Sequence, residues 1–289
     1  MADGNVDNTA AAVFIPEVWK AGFLKGLYDV SLMKKRILNA DGDVNNMGDI
    51  LHIRIQPRMT VQTPTAATGA VTSEALTPTE AQLTVNQHRA VAFSVLDITK
   101  AAADSYLQPC LEGGAPAALA EDMDKYVLSL HGDLSKTPID ATAGVTSDKL
   151  LEAFVSLAKS KVISGDMMAQ LAKMNWIFHW DCYDVLKKQK SISDYEVTGK
   201  PEGGIMSFKI PDILGIPVAF TNQVAQAAGE NKNMLIHEEA FALGVQQNIG
   251  IEKLARIALR DDYSASVLYG AKAVRSATHG IVLRTTAVA

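Results

Sequence analysis

The sequence has little cysteine and no excess of basic residues. Cys110 and Cys182 are the only two cysteines among 289 residues, which excludes the disulfide framework of a small secreted domain and favours a reducing compartment. The formal net charge of -5 excludes a globally basic nucleic-acid-binding surface. Local basic groups lie at Lys34-Lys35-Arg36 and at Lys187, Lys188 and Lys190, and both are typical of solvated helix ends.

Long apolar runs and targeting signals are also missing. No stretch reaches the roughly eighteen apolar residues of a membrane-spanning helix, and Asp3 and Asp7 stand where a secretion signal has its basic region. We therefore expect no membrane contact and a cytosolic product. With 48% hydrophobic and 20% charged residues, the chain is typical of a globular protein with one large or two smaller domains.

The most informative stretch is an extended hairpin from Gly48 to Asp97. Its outgoing arm alternates Leu51, Ile53 and Ile55 with polar residues, which is the period of a half-buried strand. The return arm is predicted as one long strand with an apolar side formed by Leu83, Val85, Val91, Phe93 and Val95. Between the arms, Pro57 to Thr79 is too rich in Thr, Ala and Pro to bury a core. We predict an arm that projects from the body onto a neighbouring subunit; a disordered insertion is the alternative.

Helices and strands interleave along the rest of the chain, which indicates an α+β protein. A helix is predicted from about Pro116 to His131, with Leu119, Met123, Val127 and Leu130 on its buried stripe and Glu121, Asp122, Asp124 and Lys125 facing away. Asn175 to Trp180 is predicted as a buried strand, followed by a short helix that Asp181 caps. Arg260 to Tyr263 is predicted as a turn between two late strands.

Three polar clusters suggest chemistry but are better explained as structural. His179, Asp181 and Cys182 are close in sequence, yet a thiol nucleophile needs a geometry that spacing does not supply. His237-Glu238-Glu239 lacks the second histidine of a zinc-binding helix. Asp261-Asp262 suits a turn, where aspartate forms local hydrogen bonds. We therefore predict no enzyme: no catalytic residue, no cofactor-binding residue and no metal ligand.

The order of elements resembles that of the major capsid proteins of tailed bacteriophages, which have the Hong Kong 97 fold. The resemblance extends over nearly the whole chain. It is carried by Phe14-Ile-Pro-Glu-Val-Trp19, Asn46-Met-Gly-Asp-Ile-Leu-His-Ile-Arg54, Thr79-Glu80 through Phe93-Ser-Val-Leu-Asp97, the helix at Pro116 to His131, Trp176 to Leu186, Ile213-Leu-Gly-Ile-Pro-Val-Ala219 and Tyr269-Gly-Ala-Lys-Ala-Val274.

This resemblance implies a division of the chain and a function. The implied segments are an N-terminal arm (1–44), the extended loop (45–96), a peripheral domain with its spine helix (97–163), an axial domain (164–249), and return strands of the peripheral domain with the C-terminus (250–289). A second peripheral loop would have its tip at Arg260 to Ser264. The implied protein is a non-enzymatic subunit that self-assembles as hexamers and pentamers into an icosahedral shell around double-stranded DNA, without sequence-specific DNA binding.

The resemblance also implies partners and a location. They are a portal protein, a decoration or cement protein, and, because only a short tail with Met1 precedes Phe14, a separate scaffolding protein. The shell would form in the bacterial cytoplasm and become the virion capsid. An encapsulin-like nanocompartment is the alternative, and a soluble enzyme with a cryptic site is a third reading.

One departure from the family concerns covalent cross-links. Some members join subunits through Lys–Asn isopeptide bonds, but Gln56 to His88 contains no lysine. We therefore expect non-covalent contacts between subunits. The candidate contact residues are Trp19, Arg58, Glu74, Glu80, Arg89, Arg260, Asp261 and Asp262.

Overall fold

A computed structural model describes most of the body of the protein. The described residues are 25, 27, 29–44, 50–55, 59–64, 71, 73–75, 77–96, 114–160, 162, 167–188, 210, 212–257 and 260–287, with only the backbone described at 93–96, 247–257, 260, 261 and 263. Trp19 and Arg58, two of the candidate contact residues, lie outside the described residues.

A four-stranded sheet forms one half of the body. Its order is β1 (Leu38–Asn39), β10 (Phe241–Ile257), β11 (Arg260–Ala273) and β4 (Gln87–Leu96). Helix α1 (Ala115–Ser129) covers one face of this sheet, and the predicted stripe residues Leu119, Met123 and Val127 are buried there with Leu243 and Val267 of the sheet. The sequence prediction of this helix is confirmed.

A six-stranded sheet forms the other half. Its order is β5 (Ile139–Asp140), β12 (Gly280–Thr286), β9 (Glu230–His237), β6 (Met174–Phe178) and β7 (Val218–Phe220), with β8 (Gln226–Ala227) paired to β9. The predicted strand at 175–180 is thus β6, and all of its residues are buried. Strand β12 lies in this sheet, although it belongs to the 250–289 segment.

Three helices cover the outer face of the six-stranded sheet. They are α2 (Ser147–Lys159), α3 (Met167–Leu171) and α4 (Asp181–Lys188). Thr146 caps α2, because its hydroxyl accepts a hydrogen bond from the Lys149 amide. Trp176, Phe178 and Leu235 of the sheet are buried beneath these helices. Among the described residues, no helix combines the length and the hydropathy needed to cross a membrane.

The predicted hairpin forms, but its return arm is not one long strand. Strand β2 (Ile50–Ile55) pairs with β3 (Thr79–Thr84) as a separate two-stranded sheet, and β4 begins only after a break at Val85 and Asn86. The sequence prediction of a continuous return strand is therefore wrong. The physical reason is a change of partner: β4 pairs with β11, and β3 pairs with β2.

The predicted turn at Arg260 to Tyr263 is also wrong. These residues begin β11, where Arg260 pairs with Ile257 of β10 on one side and with Leu96 of β4 on the other. The turn preference of aspartate is overridden because a central strand satisfies its backbone hydrogen bonds on both sides. The connection between β10 and β11 therefore lies before Arg260, and the loop tip predicted at Arg260 to Ser264 is part of a strand.

Two charged residues that the sequence placed in solvent are buried. Asp124 of α1 accepts hydrogen bonds from the Ser31 hydroxyl (2.7 Å) and from the backbone amides of Leu32 (2.7 Å) and Met33 (3.1 Å). Lys34 is buried in an ion pair with Asp41 rather than exposed at a helix end. The contacts of Asp124 attach residues 31–33 to the body, and the ion pair joins two residues within the N-terminal segment.

Candidate assembly site

The base of the hairpin lies on its own subunit. Ala81, Leu83 and Val85 are buried against the face of the four-stranded sheet opposite α1. Gly270 of β11 allows this contact, because a Cβ atom there would lie only 2.2 Å from the carbonyl oxygen of Thr84. The base of the predicted arm therefore packs on its own body at Ala81, Leu83 and Val85, and contact of the arm with a neighbouring subunit stays a prediction.

The part beyond the base carries exposed apolar side chains. Val61 is 97% exposed, Met59 is 72% exposed and Val71 is 56% exposed. Scattered single apolar residues are common on protein surfaces, but three in one segment without a core favour an interaction surface. We call the described residues 59–64, 71 and 73–75 the hairpin limb.

Glu74 connects the two sides of the hairpin limb. Its carboxylate accepts a hydrogen bond from the backbone amide of Thr60, with 3.0 Å between the amide nitrogen and Oε2. The Thr60 hydroxyl lies 3.5 Å from Oε1. Glu74 thus has an intrachain role that the sequence did not predict, and its role between subunits stays a prediction.

Glu80 contacts one residue on its own strand β3 and one across the pair on β2. Its carboxylate accepts a hydrogen bond from Gln82 (2.9 Å) and lies 3.2 Å from Nδ1 of His52. The hydrogen bond from Gln82, followed by the one from His52, lowers the pKa of Glu80. The side chain is half exposed, so it also remains accessible to a neighbouring subunit.

Arg89 attaches strand β4 to helix α1. Its Nε lies 3.1 Å from Oδ2 of Asp122, which also accepts a hydrogen bond (2.8 Å) from the hydroxyl of Tyr269. Hydrogen bonding with Tyr269 and the charge of Asp122 raise the pKa of Arg89. Because its side chain is half exposed, solvent screens the ion pair and keeps its contribution to stability small.

The predicted contact residues whose side chains the structure describes lie on different elements. Glu74 and Glu80 lie on the hairpin, Arg89 lies beside α1, and Asp262 is half buried in β11. For Arg260 and Asp261 only the backbone is described. This distribution is compatible with contacts to several neighbours, and the roles of all eight residues between subunits stay predictions.

The sequence reasoning missed the attachment of the N-terminal segment. Asp41 accepts a hydrogen bond (2.7 Å) from the amide of Val245 in β10 in addition to its ion pair with Lys34. Burial lowers the pKa of Lys34, and the hydrogen bond and charge of Asp41 oppose this shift. Burial also raises the pKa of Asp124, against the hydrogen bonds that it accepts.

A signal for Asp124 was present in the sequence. Pro116, Ala120, Asp124 and Leu128 follow one another at a spacing of four residues, and all four are buried. A single carboxylate on an otherwise apolar helix stripe indicates a buried hydrogen-bond acceptor.

The His179–Cys182 cluster has no geometry for nucleophilic catalysis. Cys182 is 3% exposed, and its sulfur contacts Thr285 (3.3 Å) and Asn233 (3.5 Å). Burial raises the pKa of the Cys182 thiol, which keeps it protonated and unreactive. His179 instead lies at the start of α4, where its Nδ1 is 3.2 Å from the Asp181 amide. The Asp181 carboxylate accepts a hydrogen bond from Asn231 (2.8 Å) and lies 2.9 Å from Nδ1 of His179.

A second polar cluster forms from residues distant in sequence. The side chains of His237, Glu239 and His279 each offer one ligand atom, and these atoms lie within 4.8 Å of one another. The two imidazole rings are nearly perpendicular, with 5.1 Å between their centroids. The sequence argument missed this cluster because more than forty residues separate His237 from His279. The two residues meet only after β10 and β11, which lie between them in the chain, have paired.

No protein-family model matches the chain, and no curated protein matches its sequence. Solved structures do match. A structure of Mycobacterium phage Che8 is 20% identical, with a TM-score of 0.67 over 88% of this chain and 90% of that chain. The asymmetric unit of the mature capsid of bacteriophage PhiM1 is 10% identical, with a TM-score of 0.67 over 90% of this chain and 88% of that chain. A virus-like particle from Pyrococcus furiosus is 12% identical, with a TM-score of 0.58 over 92% of this chain and 98% of that chain. The chain therefore has the α+β fold of phage capsid structures, the Hong Kong 97 fold that its element order predicted.

Proposed function

We propose that the chain is the major capsid protein of a tailed double-stranded DNA bacteriophage. One observation carries the proposal: the likeness to phage capsid structures extends over about nine-tenths of both chains. A likeness confined to one sheet would be compatible with many functions. Here the match covers 88–90% of this chain, so it is not confined to one sheet.

The mechanism is assembly rather than chemistry. The two sheets and their helices form a rigid body, and the exposed side chains of the hairpin limb are buried on a neighbouring subunit. Full burial of Met59, Val61 or Val71 would contribute roughly 1.5–3 kcal/mol each. Exposed ion pairs add only ~0–1 kcal/mol each, so apolar contact at the hairpin limb supplies more of the affinity than the predicted charged residues do.

The proposal includes partners and a location. The subunits form hexamers and pentamers of an icosahedral virion shell, with a separate scaffolding protein, a portal protein and a decoration or cement protein. The shell forms in the bacterial cytoplasm and encloses DNA without reading its sequence. No enzymatic activity is assigned, and the buried, protonated thiol of Cys182 supports this for the one cysteine that the structure describes.

Electron microscopy with a denaturing gel tests the proposal. Closed shells that dissolve into one band of 31.0 kDa are expected, because no lysine is present between Gln56 and His88 to form a cross-link. A ladder of high-mass bands would contradict non-covalent assembly. Particles that never form, even when the chain is produced together with the other structural proteins of the virus, would contradict the capsid function.

A nanocompartment shell is the second candidate function. It is favoured by the likeness to a virus-like particle over 98% of that chain, although the TM-score of 0.58 is below the 0.67 of the phage structures. The contents of purified particles distinguish the two. Long double-stranded DNA supports the virion, and an enclosed enzyme without DNA supports the nanocompartment.

A further inference from the structure

The two sheets are joined by two adjacent chain connections. One runs from the end of β9 at His237 to the start of β10 at Phe241, and the other runs from the end of β11 at Ala273 to the start of β12 at Gly280. Backbone hydrogen bonds hold them together: the His237 amide donates to the His279 carbonyl (2.9 Å), and the Val274 amide donates to the Ala240 carbonyl (2.9 Å). We call residues 237–240 and 274–279 the junction.

The junction brings together three side chains that can bind a metal ion. His237 is 3% exposed, and the His279 side chain is 12% exposed. Glu239 is less buried and places Oε2 3.8 Å from Nε2 of His279. Two imidazoles and a carboxylate are a common ligand set for zinc, which accepts nitrogen and oxygen donors equally well.

We propose that His237, Glu239 and His279 bind a divalent transition-metal ion of the zinc class. The ligand atoms now lie within 4.8 Å of one another. Tetrahedral zinc with bonds of about 2.1 Å needs ligand atoms about 3.4 Å apart, so rotation of the side chains must bring them closer. All three residues lie at the end of a strand or in the connections between strands.

The outer contact of His279 matches that of a metal ligand, whereas His237 would have to exchange one of its contacts. Histidine ligands usually donate their second ring N–H to a neighbouring oxygen, which orients the ring. Nδ1 of His279 lies 2.6 Å from the Thr278 hydroxyl, which leaves Nε2 toward Glu239. Nε2 of His237 lies 3.3 Å from Oε1 of Gln170 in α3, and its Nδ1 lies 3.2 Å from the backbone nitrogen of Glu239. A metal ion on Nδ1 would therefore replace the hydrogen bond from this amide.

Two basic residues also face the junction and set a condition on binding. Arg275 places Nε 2.8 Å from Oε2 of Glu239, so the guanidinium and a metal ion compete for the same carboxylate. Lys173 is paired with Glu238 at 2.8 Å, so its charge is compensated by another residue. Removal of the Arg275 charge should therefore strengthen metal binding, whereas substitution of any ligand residue should weaken it.

A bound ion would connect the two sheets. His237 and Glu239 belong to the β9–β10 connection, whereas His279 belongs to the β11–β12 connection. Because an ion that binds only the folded protein stabilises it by mass action, zinc should raise the midpoint of thermal unfolding. The sequence predicted no metal ligand, and this inference replaces that expectation at the junction only.

The test is a calorimetric titration of the full chain, unassembled, with Zn²⁺ and separately with Mg²⁺. We expect one Zn²⁺ per chain and no Mg²⁺, which prefers oxygen ligands. His279→Asn should abolish zinc binding, Thr278→Ala should weaken it roughly tenfold, and Arg275→Gln should tighten it. His88→Asn, which removes an exposed histidine of β4, is the control and should leave binding unchanged.

Two results would overturn the inference. One is the absence of stoichiometric zinc binding by both the wild type and the Arg275→Gln variant. The other is binding that survives His279→Asn, which would assign the ion to other histidines. Because His279→Asn could disturb folding, its circular dichroism spectrum and its unfolding midpoint without metal are compared with those of His88→Asn. These readouts do not depend on shell formation, so the proposed capsid function is tested separately.

Discussion

Gly270 offers the sharpest test of how the hairpin is attached to the body. A Cβ atom at this position would lie 2.2 Å from the carbonyl oxygen of Thr84 and 2.9 Å from Cα of Val85. Both contacts are with backbone atoms, so no side-chain rotation relieves them. We predict that Gly270→Ala lifts the Thr84–Val85 segment from the sheet.

Two energies limit how much Gly270→Ala lowers the free energy of unfolding. Overpacking a tight contact costs roughly 1–3 kcal/mol, and occasionally more. The strain is limited by release of the hairpin base, which would expose Leu83 and Val85 at a cost of roughly 1.5–3 kcal/mol each. Replacing glycine also reduces the conformational entropy of the unfolded chain, which favours the folded state by about 0.4–1 kcal/mol. We expect a net loss of about 2–4 kcal/mol in the free energy of unfolding.

The assay is urea unfolding of the unassembled subunit at one protein concentration, since assembly would add to the apparent stability. Gly244→Ala is a graded control, because its Cβ would meet only side chains at the nearest distances: Val44 at 3.0 Å and Leu83 at 3.5 Å. It should cost about 1 kcal/mol or less. Gly132→Ala meets nothing within 4 Å and should be neutral or slightly stabilising.

The reasoning would be refuted if Gly270→Ala unfolded at the same urea concentration as Gly132→Ala. It would equally be refuted if Gly244→Ala cost more than Gly270→Ala. Limited proteolysis adds an independent readout, because release of the hairpin base should speed cleavage between residues 56 and 78.

Three further predictions concern assembly, the thiol and the N-terminal segment. Val61→Asp should prevent the formation of shells seen by electron microscopy, while its free energy of unfolding stays within ~0.5 kcal/mol of wild type. The near-isosteric Val61→Thr is the control and should still assemble. Shells formed by Val61→Asp would exclude this side chain from the interface. In a Cys110→Ser background, Cys182 should react with a thiol reagent at pH 8 only as fast as the protein unfolds, because burial raises the pKa of its thiol; rapid reaction in the native state would contradict the buried geometry. Asp41→Ala should lower the free energy of unfolding in urea by about 3–5 kcal/mol, since it leaves the Lys34 ammonium buried without its carboxylate. Lys34→Met should cost less, because the amide of Val245 still donates a hydrogen bond to Asp41. The reverse order would show that this amide contributes little.

Local sequence patterns were sufficient for elements whose burial follows a simple period. Alternation predicted β2 and the start of the return arm, and a stripe at helical spacing predicted α1. An apolar run predicted β6. The order of these elements was enough to identify the fold, which the structural likeness bears out.

Long-range pairing decided what the patterns left open. The return arm divides at Val85 because β4 pairs with β11, about 170 positions away, and Gly270 permits the close crossing. Residues 260–263 form a strand instead of the predicted turn for the same reason: a neighbouring strand on each side satisfies their backbone hydrogen bonds.

The chemistry of the buried charges and of the junction depended on tertiary structure alone. The position of Asp124 on an apolar stripe indicates burial, but only the packing of residues 31–33 supplies its three donors. His279 joined His237 and Glu239 only because two connections between the sheets run side by side. The sequence by itself determined β2, β6 and α1, since burial imposes a local period on them. Only the tertiary structure decided which distant segments meet, because those contacts leave no periodic trace in the chain.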